Sequence, residues 1–178
     1  MELSLLGIRF FLGLVFVFSS LPKLTAPTDF RHALGNYRLL PFRLVAPVSA
    51  WLPRVELLLG LVLLSGGAIR VSAAVAAIAL VAFSAAVGIN LARGRRIECG
   101  CFTPASPRQM TWRLVVQALA LAAGAVLLVN DAPPAWVGRD TLAAFFAAAA
   151  ALATAQLTTE AVRLRRTLLA DVWKGGAP

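Results

Sequence analysis

Polar chemistry is scarce in this chain. Of 178 residues only eight are acidic, one is histidine, one is tyrosine and two are cysteine, and charged residues make up 14%. Apolar residues reach 60%, against the ~45–50% of ordinary water-exposed domains, so the composition cannot furnish a soluble domain's surface. A closed structural zinc site wants four ligands; two cysteines, His32 and a poor fourth in Glu98 do not furnish one, so no metal is expected. No cofactor fingerprint is present, and no short-period repeat. The amino terminus, Met1-Glu2-Leu3-Ser4, has no basic lead and no small-residue cleavage site behind it, which predicts that the first helix is retained. Outside the apolar runs there are only loops and a tail of about 20 residues, which leaves no room for a separate soluble domain.

What is present is apolar sequence in spans. Mean hydropathy is +0.81, and runs of about 17 to 20 apolar residues match the thickness of a hydrocarbon core crossed by a helix. Five such runs occur: Leu3 to Leu21, Ala46 to Leu64, Val71 to Leu91, Leu114 to Val129 and Thr141 to Leu157. The last two are the shortest and richest in alanine. The expected fold is therefore an all-α, polytopic transmembrane bundle of four to five spans, with residues 1–160 in the membrane-embedded unit and 161–178 as a basic tail. Small residues such as Ala73, Ala77, Ala123 and Gly124 allow close helix contact in lipid.

The formal net charge is +9, but the cations sit beside the spans rather than along one soluble face, so a nucleic-acid partner is not expected. With five spans, fourteen of the seventeen Lys and Arg residues fall on one side. They are Lys23, Arg31, Arg38, Arg43, Arg54, Arg93, Arg95, Arg96, Arg108, Arg113, Arg163, Arg165, Arg166 and Lys174; Arg9, Arg70 and Arg139 fall on the other. Short basic loops stay cytoplasmic. This bias predicts a multi-pass protein of the cell (inner) membrane, amino terminus outside, with the connection carrying the cysteines inside.

Pro22 to Val45 contains a candidate surface helix over Thr28 to Leu39. Thr28 is the expected cap, Asp29 suits the positive helix end, and Phe30, Ala33, Leu34 and Tyr37 form an apolar stripe opposite Arg31, His32, Asn36 and Arg38. Such a segment lies flat in the headgroup layer as a lid over the bundle mouth. Pro41 and Pro47 are expected to bracket the return into the second span. Trp51, Trp112 and Trp136 read as interface anchors, on which a quinone could also stack. Arg9, about two turns into the first span, is expected to snorkel to the opposite surface, and His32 to be solvated.

The thiols are Cys99 and Cys101, separated by Gly100 in the connection Arg93 to Trp112. A disulfide across Cys-Gly-Cys closes a small ring whose glycine relieves backbone conflict, and a strained exposed bridge is readily reduced. Arg93, Arg95 and Arg96 favour the reactive thiolate while Glu98 opposes it. Inert thiols and metal binding are the alternatives. Connectivity brings Lys23, Glu56, Asn90, Trp112 and Gln117 to the same membrane face as the thiols. Lys23 and the nearby arginines suit stabilisation of a leaving thiolate, and Glu56 suits proton transfer. Glu56 also has a structural reading, three residues after Pro53 at the start of a span, where the helix dipole favours a carboxylate.

Lys23-Leu24, Tyr37-Arg38-Leu39-Leu40-Pro41, Leu52-Pro53-Arg54-Val55-Glu56-Leu57 and Asn90-Leu91-Ala92-Arg93-Gly94, leading to Cys99-Gly100-Cys101-Phe102, occur in this order. The pattern resembles the MauE family, which is related to DoxX-type membrane proteins, over about the first 130 residues. The resemblance implies a thiol-disulfide oxidoreductase role with Cys99 and Cys101 as the pair; Lys23, Glu56, Asn90, Arg95 and Arg96 are supporting candidates by residue type and topology. It also implies disulfide formation or maturation of a client thiol protein, as in maturation of methylamine dehydrogenase, with a thioredoxin-like partner. Thr103 departs from the family, which commonly has glycine there. The maturation role implies outward-facing thiols, opposite to the charge bias. A non-enzymatic scaffold and a small-solute or metal carrier using Lys23, Glu56 and Asn90 are the rival readings.

Overall fold

The computed structural model describes residues 2–95, 111–131 and 142–154. Over these the chain is helical: α1 (Glu2–Thr25), α2 (Pro27–Asn36), α3 (Phe42–Ser65), α4 (Ile69–Ala92), α5 (Trp112–Asn130) and α6 (Leu142–Thr154). Four of them, α1, α3, α4 and α5, are long and apolar enough to cross a membrane, whereas α6 is shorter over its described length. The chain is thus a helical, polytopic membrane protein. Backbone groups that cannot meet water in hydrocarbon are satisfied within each helix, the physical reason such a composition folds this way.

The spans run up and down. α1 and α3 are antiparallel and pack most extensively on one another, as do α4 and α5. A tight turn with Gly66 and Ala68 in left-handed conformation joins the two pairs. The ends at Thr25, Phe42, Ala92 and Trp112 consequently share one end of the bundle, here the mouth. The main core lies toward the other end, where Leu12 and Phe16 of α1 and Leu59 and Leu63 of α3 meet Ala73, Ala76, Ala77 and Leu80 of α4 and Ala122, Ala125 and Leu128 of α5. Alanines dominate the α4 and α5 side, which brings helix backbones close enough to pack without bulky side chains.

α1 and α3 cross at a contact of bare backbone. A Cβ on Gly60 would lie 2.8 Å from the Gly13 carbonyl oxygen and 3.0 Å from the Val17 nitrogen. This fixes the register of α1 against α3, and with it everything nearer the mouth.

Three expectations need correction. The second span begins at Phe42, not Ala46, so Pro47 and Pro53 lie inside α3 and only Pro41 precedes it. Proline removes one N–H from the ladder, a defect that helices in lipid tolerate. Pro47 and Pro53 release the Arg43 and Ser49 carbonyls, four residues earlier; the side-chain bonds nearby go to other carbonyls, Ser49 Oγ to that of Ala46 at 2.8 Å and the Arg54 guanidinium to that of Ala50. Second, α2 starts at Pro27 behind Ala26, with no side-chain cap, so Thr28 is not the cap; proline's fixed φ already suits the first turn. Third, Arg9 does not snorkel: it is fully buried, with its guanidinium 4.5 Å from the Phe10 ring centroid. α3 and α5 pack on α1, and α6 lays Ala144 and Ala148 against Leu6, Phe10 and Leu14 of the same helix.

Candidate functional site

α2 covers the mouth on the side of its apolar stripe. Phe30 and Tyr37 are buried, Ala33 and Leu34 half-buried, and Arg31, His32, Asn36 and Arg38 exposed, as the amphipathic pattern predicts.

Beneath it lies an ion pair. Lys23 Nζ donates to both carboxylate oxygens of Glu56, at 2.7 and 2.5 Å, and to Ser19 Oγ at 3.1 Å. The two side chains are 4% and 16% exposed. The register explains the meeting. Lys23 lies ten residues beyond Gly13 and Glu56 only four before Gly60, so the α-carbons are offset by roughly 9 Å along the bundle at 1.5 Å per residue. Side chains lean toward the amino end of their own helix. In antiparallel helices that tilts lysine down and glutamate up, closing the offset. The ammonium is also 5.4 Å from the centroid of Phe30, whose ring therefore roofs the pair from α2.

Glu56 is not at a helix start. Fourteen residues of α3 precede it and nine follow, about 21 Å and 14 Å from the two ends, whereas the helix dipole acts within the first turn. Its charge is held by Lys23 instead.

Asn90 is on the opposite wall, two residues before the end of α4, and is 0% exposed. Its Nδ2 donates to the Ala86 carbonyl at 3.0 Å, and Oδ1 has no hydrogen-bond partner. Gly94, at φ 69°, turns the chain out of α4, and the Arg95 N–H returns to the Asn90 carbonyl at 3.0 Å. Only glycine takes this left-handed position without strain. Arg95 is thereby directed at α2, where its guanidinium donates to the Asn36 carbonyl at 3.4 Å. A cation on the last carbonyls of a helix is favoured by the dipole. Replacing Arg95 with glutamine is expected to loosen that end of α2: hydrogen exchange in peptides covering residues 27–36 should accelerate severalfold, and Arg93→Gln should leave it unchanged.

Of the residues singled out from sequence, the structure joins Lys23 to Glu56 and links Arg95 to the lid. Asn90 is buried on the α4 wall, and no contact joins it to the ion pair. Gln117, Trp51 and Trp112 are exposed on the outside of their helices. Cys99, Cys101, Arg96, Glu98 and Trp136 lie outside the described residues. Phe30 as the roof of Lys23, and Ser19 as its third acceptor, had no separate signal in the sequence, although Ser19 lies one helical turn before Lys23. Among the described residues no three His, Cys, Asp or Glu side chains cluster in a way that could hold a metal ion.

The family model for Methylamine utilisation protein MauE matches residues 1–130, from the start of the chain to the end of α5. The chain belongs to the MauE family. The Methylamine utilization protein MauE of Paracoccus denitrificans is 39% identical over 133 residues, 72% of this chain and 70% of that protein. Its counterpart in Methylophilus methylotrophus is 39% identical over 125 residues, covering 69% and 65% of the two chains. That of Methylorubrum extorquens is 38% identical over 146 residues, covering 80% and 77%. No solved structure matches the chain. The MauE match takes in the ion pair, Asn90, Arg95 and the thiol-bearing connection, and leaves α6 and the tail beyond it.

Proposed function

We propose that this MauE-family protein exchanges disulfides through Cys99 and Cys101 at the mouth of its bundle, serving a client thiol protein. The observation that carries the reading is the placement of the polar groups. Lys23 and Asn90 each lie two residues from the mouth end of their helices, the end shared by Ala92 and Trp112, between which the Cys-Gly-Cys sequence falls, and Lys23 reaches down to Glu56 near the middle of α3. Cys99 is four positions beyond Arg95, a tether of at most ~14 Å. The names of the relatives add a methylamine-utilisation setting, in which methylamine dehydrogenase is the client.

The exchange balances as follows. A client thiolate attacks one sulfur of the Cys99–Cys101 disulfide, breaking that bond and forming a mixed disulfide. The client's second thiolate then attacks its own sulfur in the mixed bond, leaving the client oxidised by two electrons and Cys99 and Cys101 as two thiols. Reoxidation hands two electrons and two protons to a thioredoxin-type disulfide or to a quinone. Arg95 and Arg96 favour the thiolate form of the pair, Lys23 and Glu56 neutralise one another beneath α2, and the Glu56 carboxylate is the group available for proton transfer. Residues 1–160 form the membrane unit and 161–178 the basic tail. The charge bias directs the thiols to the cytoplasm, in the inner membrane of a bacterial cell.

Labelling with a membrane-impermeant maleimide, on intact cells and on inverted vesicles, before and after reduction, tests both chemistry and sidedness. Label is expected to appear only after reduction, and only in inverted vesicles. The Cys99→Ser/Cys101→Ser variant is expected to lose all disulfide exchange with a reduced client. A pair that never shows a reducible bridge ends the exchange reading, and a double variant with unchanged cellular effect supports a scaffold.

A further inference from the structure

Arg54 is a cation on the outside of a membrane helix. Twelve residues of α3 precede it and eleven follow, about 18 Å and 17 Å from the two ends at 1.5 Å per residue, and its side chain is exposed. Arg43, Ala50, Leu58 and Leu61 are exposed on the same face at helical spacing, with Trp51 beside them. A guanidinium turned toward hydrocarbon is costly unless an anion meets it. Among the described residues its one hydrogen bond goes to the Ala50 carbonyl, one turn nearer the mouth. Glu56, the one acid of α3, is taken by Lys23 on the side that faces α1. A guanidinium carries five N–H donors, so most of those on Arg54 are left for a ligand.

The depth of the group says what that ligand is. α2, with its charged face exposed, sits at the level of Val45, where a Cβ on Gly35 would lie 4.0 Å from Val45 Cγ1. An amphipathic helix of this kind occupies the headgroup layer. Ala50 is five residues further along α3, ~7.5 Å deeper, so a guanidinium drawn up to its carbonyl stands just beneath the phosphates of that leaflet. Arg43 adds a second cation on the headgroup side, and beyond Arg54 the face presents Leu58 and Leu61 alone. We infer that this face of α3 binds one anionic phospholipid, with the phosphate diester on Arg54 and the acyl chains along Leu58 and Leu61. Arg43 and Arg54, with no acid exposed beside them, select a headgroup of net negative charge over a zwitterionic one. Binding requires neither the thiols nor the exchange reading.

Native mass spectrometry of the full chain, delipidated in mild detergent and titrated with phosphatidylglycerol or with phosphatidylcholine of the same acyl chains, tests the site. One phosphatidylglycerol per chain is expected, held about tenfold more tightly than phosphatidylcholine, the worth of one charge-assisted hydrogen bond. Arg54→Gln is expected to abolish that preference and Arg43→Gln to weaken it by a smaller factor. Arg70→Gln, which removes an exposed cation at the other end of the bundle, is expected to leave it intact. Without added lipid, the thermal midpoint of Arg54→Gln is expected to equal or exceed that of the parent, and millimolar inorganic phosphate is expected not to displace the lipid. Equal retention of the two lipids would overturn the assignment, as would displacement by inorganic phosphate, which would make the site one for a free anion. A preference that survives Arg54→Gln would also overturn it, the guanidinium then serving an acidic helix of a protein partner, and so would a lowered midpoint, which would make Arg54 a structural residue.

Discussion

Replacing Lys23 with leucine is expected to destabilise the protein by ~3–5 kcal/mol, because it leaves the Glu56 carboxylate uncompensated in an apolar interior. Glu56→Leu strands the ammonium in the same way and is expected to cost a similar amount. The double variant Lys23→Leu/Glu56→Leu is expected to recover most of the loss, since removing both charges also removes the desolvation that they impose. Thermal midpoints of the four proteins in one detergent provide the double-mutant cycle. The Lys23 ammonium already has three acceptors, two on Glu56 and one on Ser19, so no other group can take its charge without breaking a bond that exists. A double variant no more stable than the singles would mean that the pair contributes mainly through packing. Client oxidation by the double variant then measures what the charges do beyond holding α1 to α3.

Gly60→Ala is expected to cost ~1–3 kcal/mol, although alanine is the better helix former, because the new methyl is overpacked against backbone. Its Cβ would meet the Gly13 carbonyl oxygen and the Val17 Cγ2, each at 2.8 Å. Backbone cannot rotate away as a side chain can, so the two helices must separate, and the Lys23–Glu56 geometry follows them. Gly13→Ala first meets the Leu64 side chain at 2.8 Å, which can shift, and is expected to cost less. Gly7 and Gly88 have nothing within 4 Å of an added Cβ. Alanine at either is expected to be neutral or stabilising by up to ~1 kcal/mol. Thermal midpoints that rank Gly60 below Gly13, and both below Gly7 and Gly88, would confirm the crossing point.

Hydropathy made the spans legible because a helix in lipid must be apolar for its whole length, and the four long helices coincide with predicted runs to within four residues at every end. α2 was legible through its 3.6-residue stripe. Pro47 and Pro53 misled because proline marks helix ends in water, where a free carbonyl finds solvent, whereas a helix in lipid carries a proline through, since ending there would leave far more backbone unsatisfied than the one N–H lost. Arg9 misled for a related reason: snorkelling requires an open path, and α3, α5 and α6 pack on α1. Glu56 lies near the middle of α3 rather than at its start, but the placing of Lys23 and Asn90 toward one end followed from connectivity. That Lys23 and Glu56 touch while Asn90 stands apart did not, since it depends on the register set where Gly13 meets Gly60, and no local pattern encodes a register between distant segments.

The unequal partnering of the spans bears on how the protein is made. Because α1 closes on α3 and α4 on α5, with a three-residue turn between the pairs, each half can leave the insertion machinery as a finished hairpin in the order of synthesis. Lysine and glutamate belong to the same first hairpin, so neither charge depends on a later helix for its counter-ion.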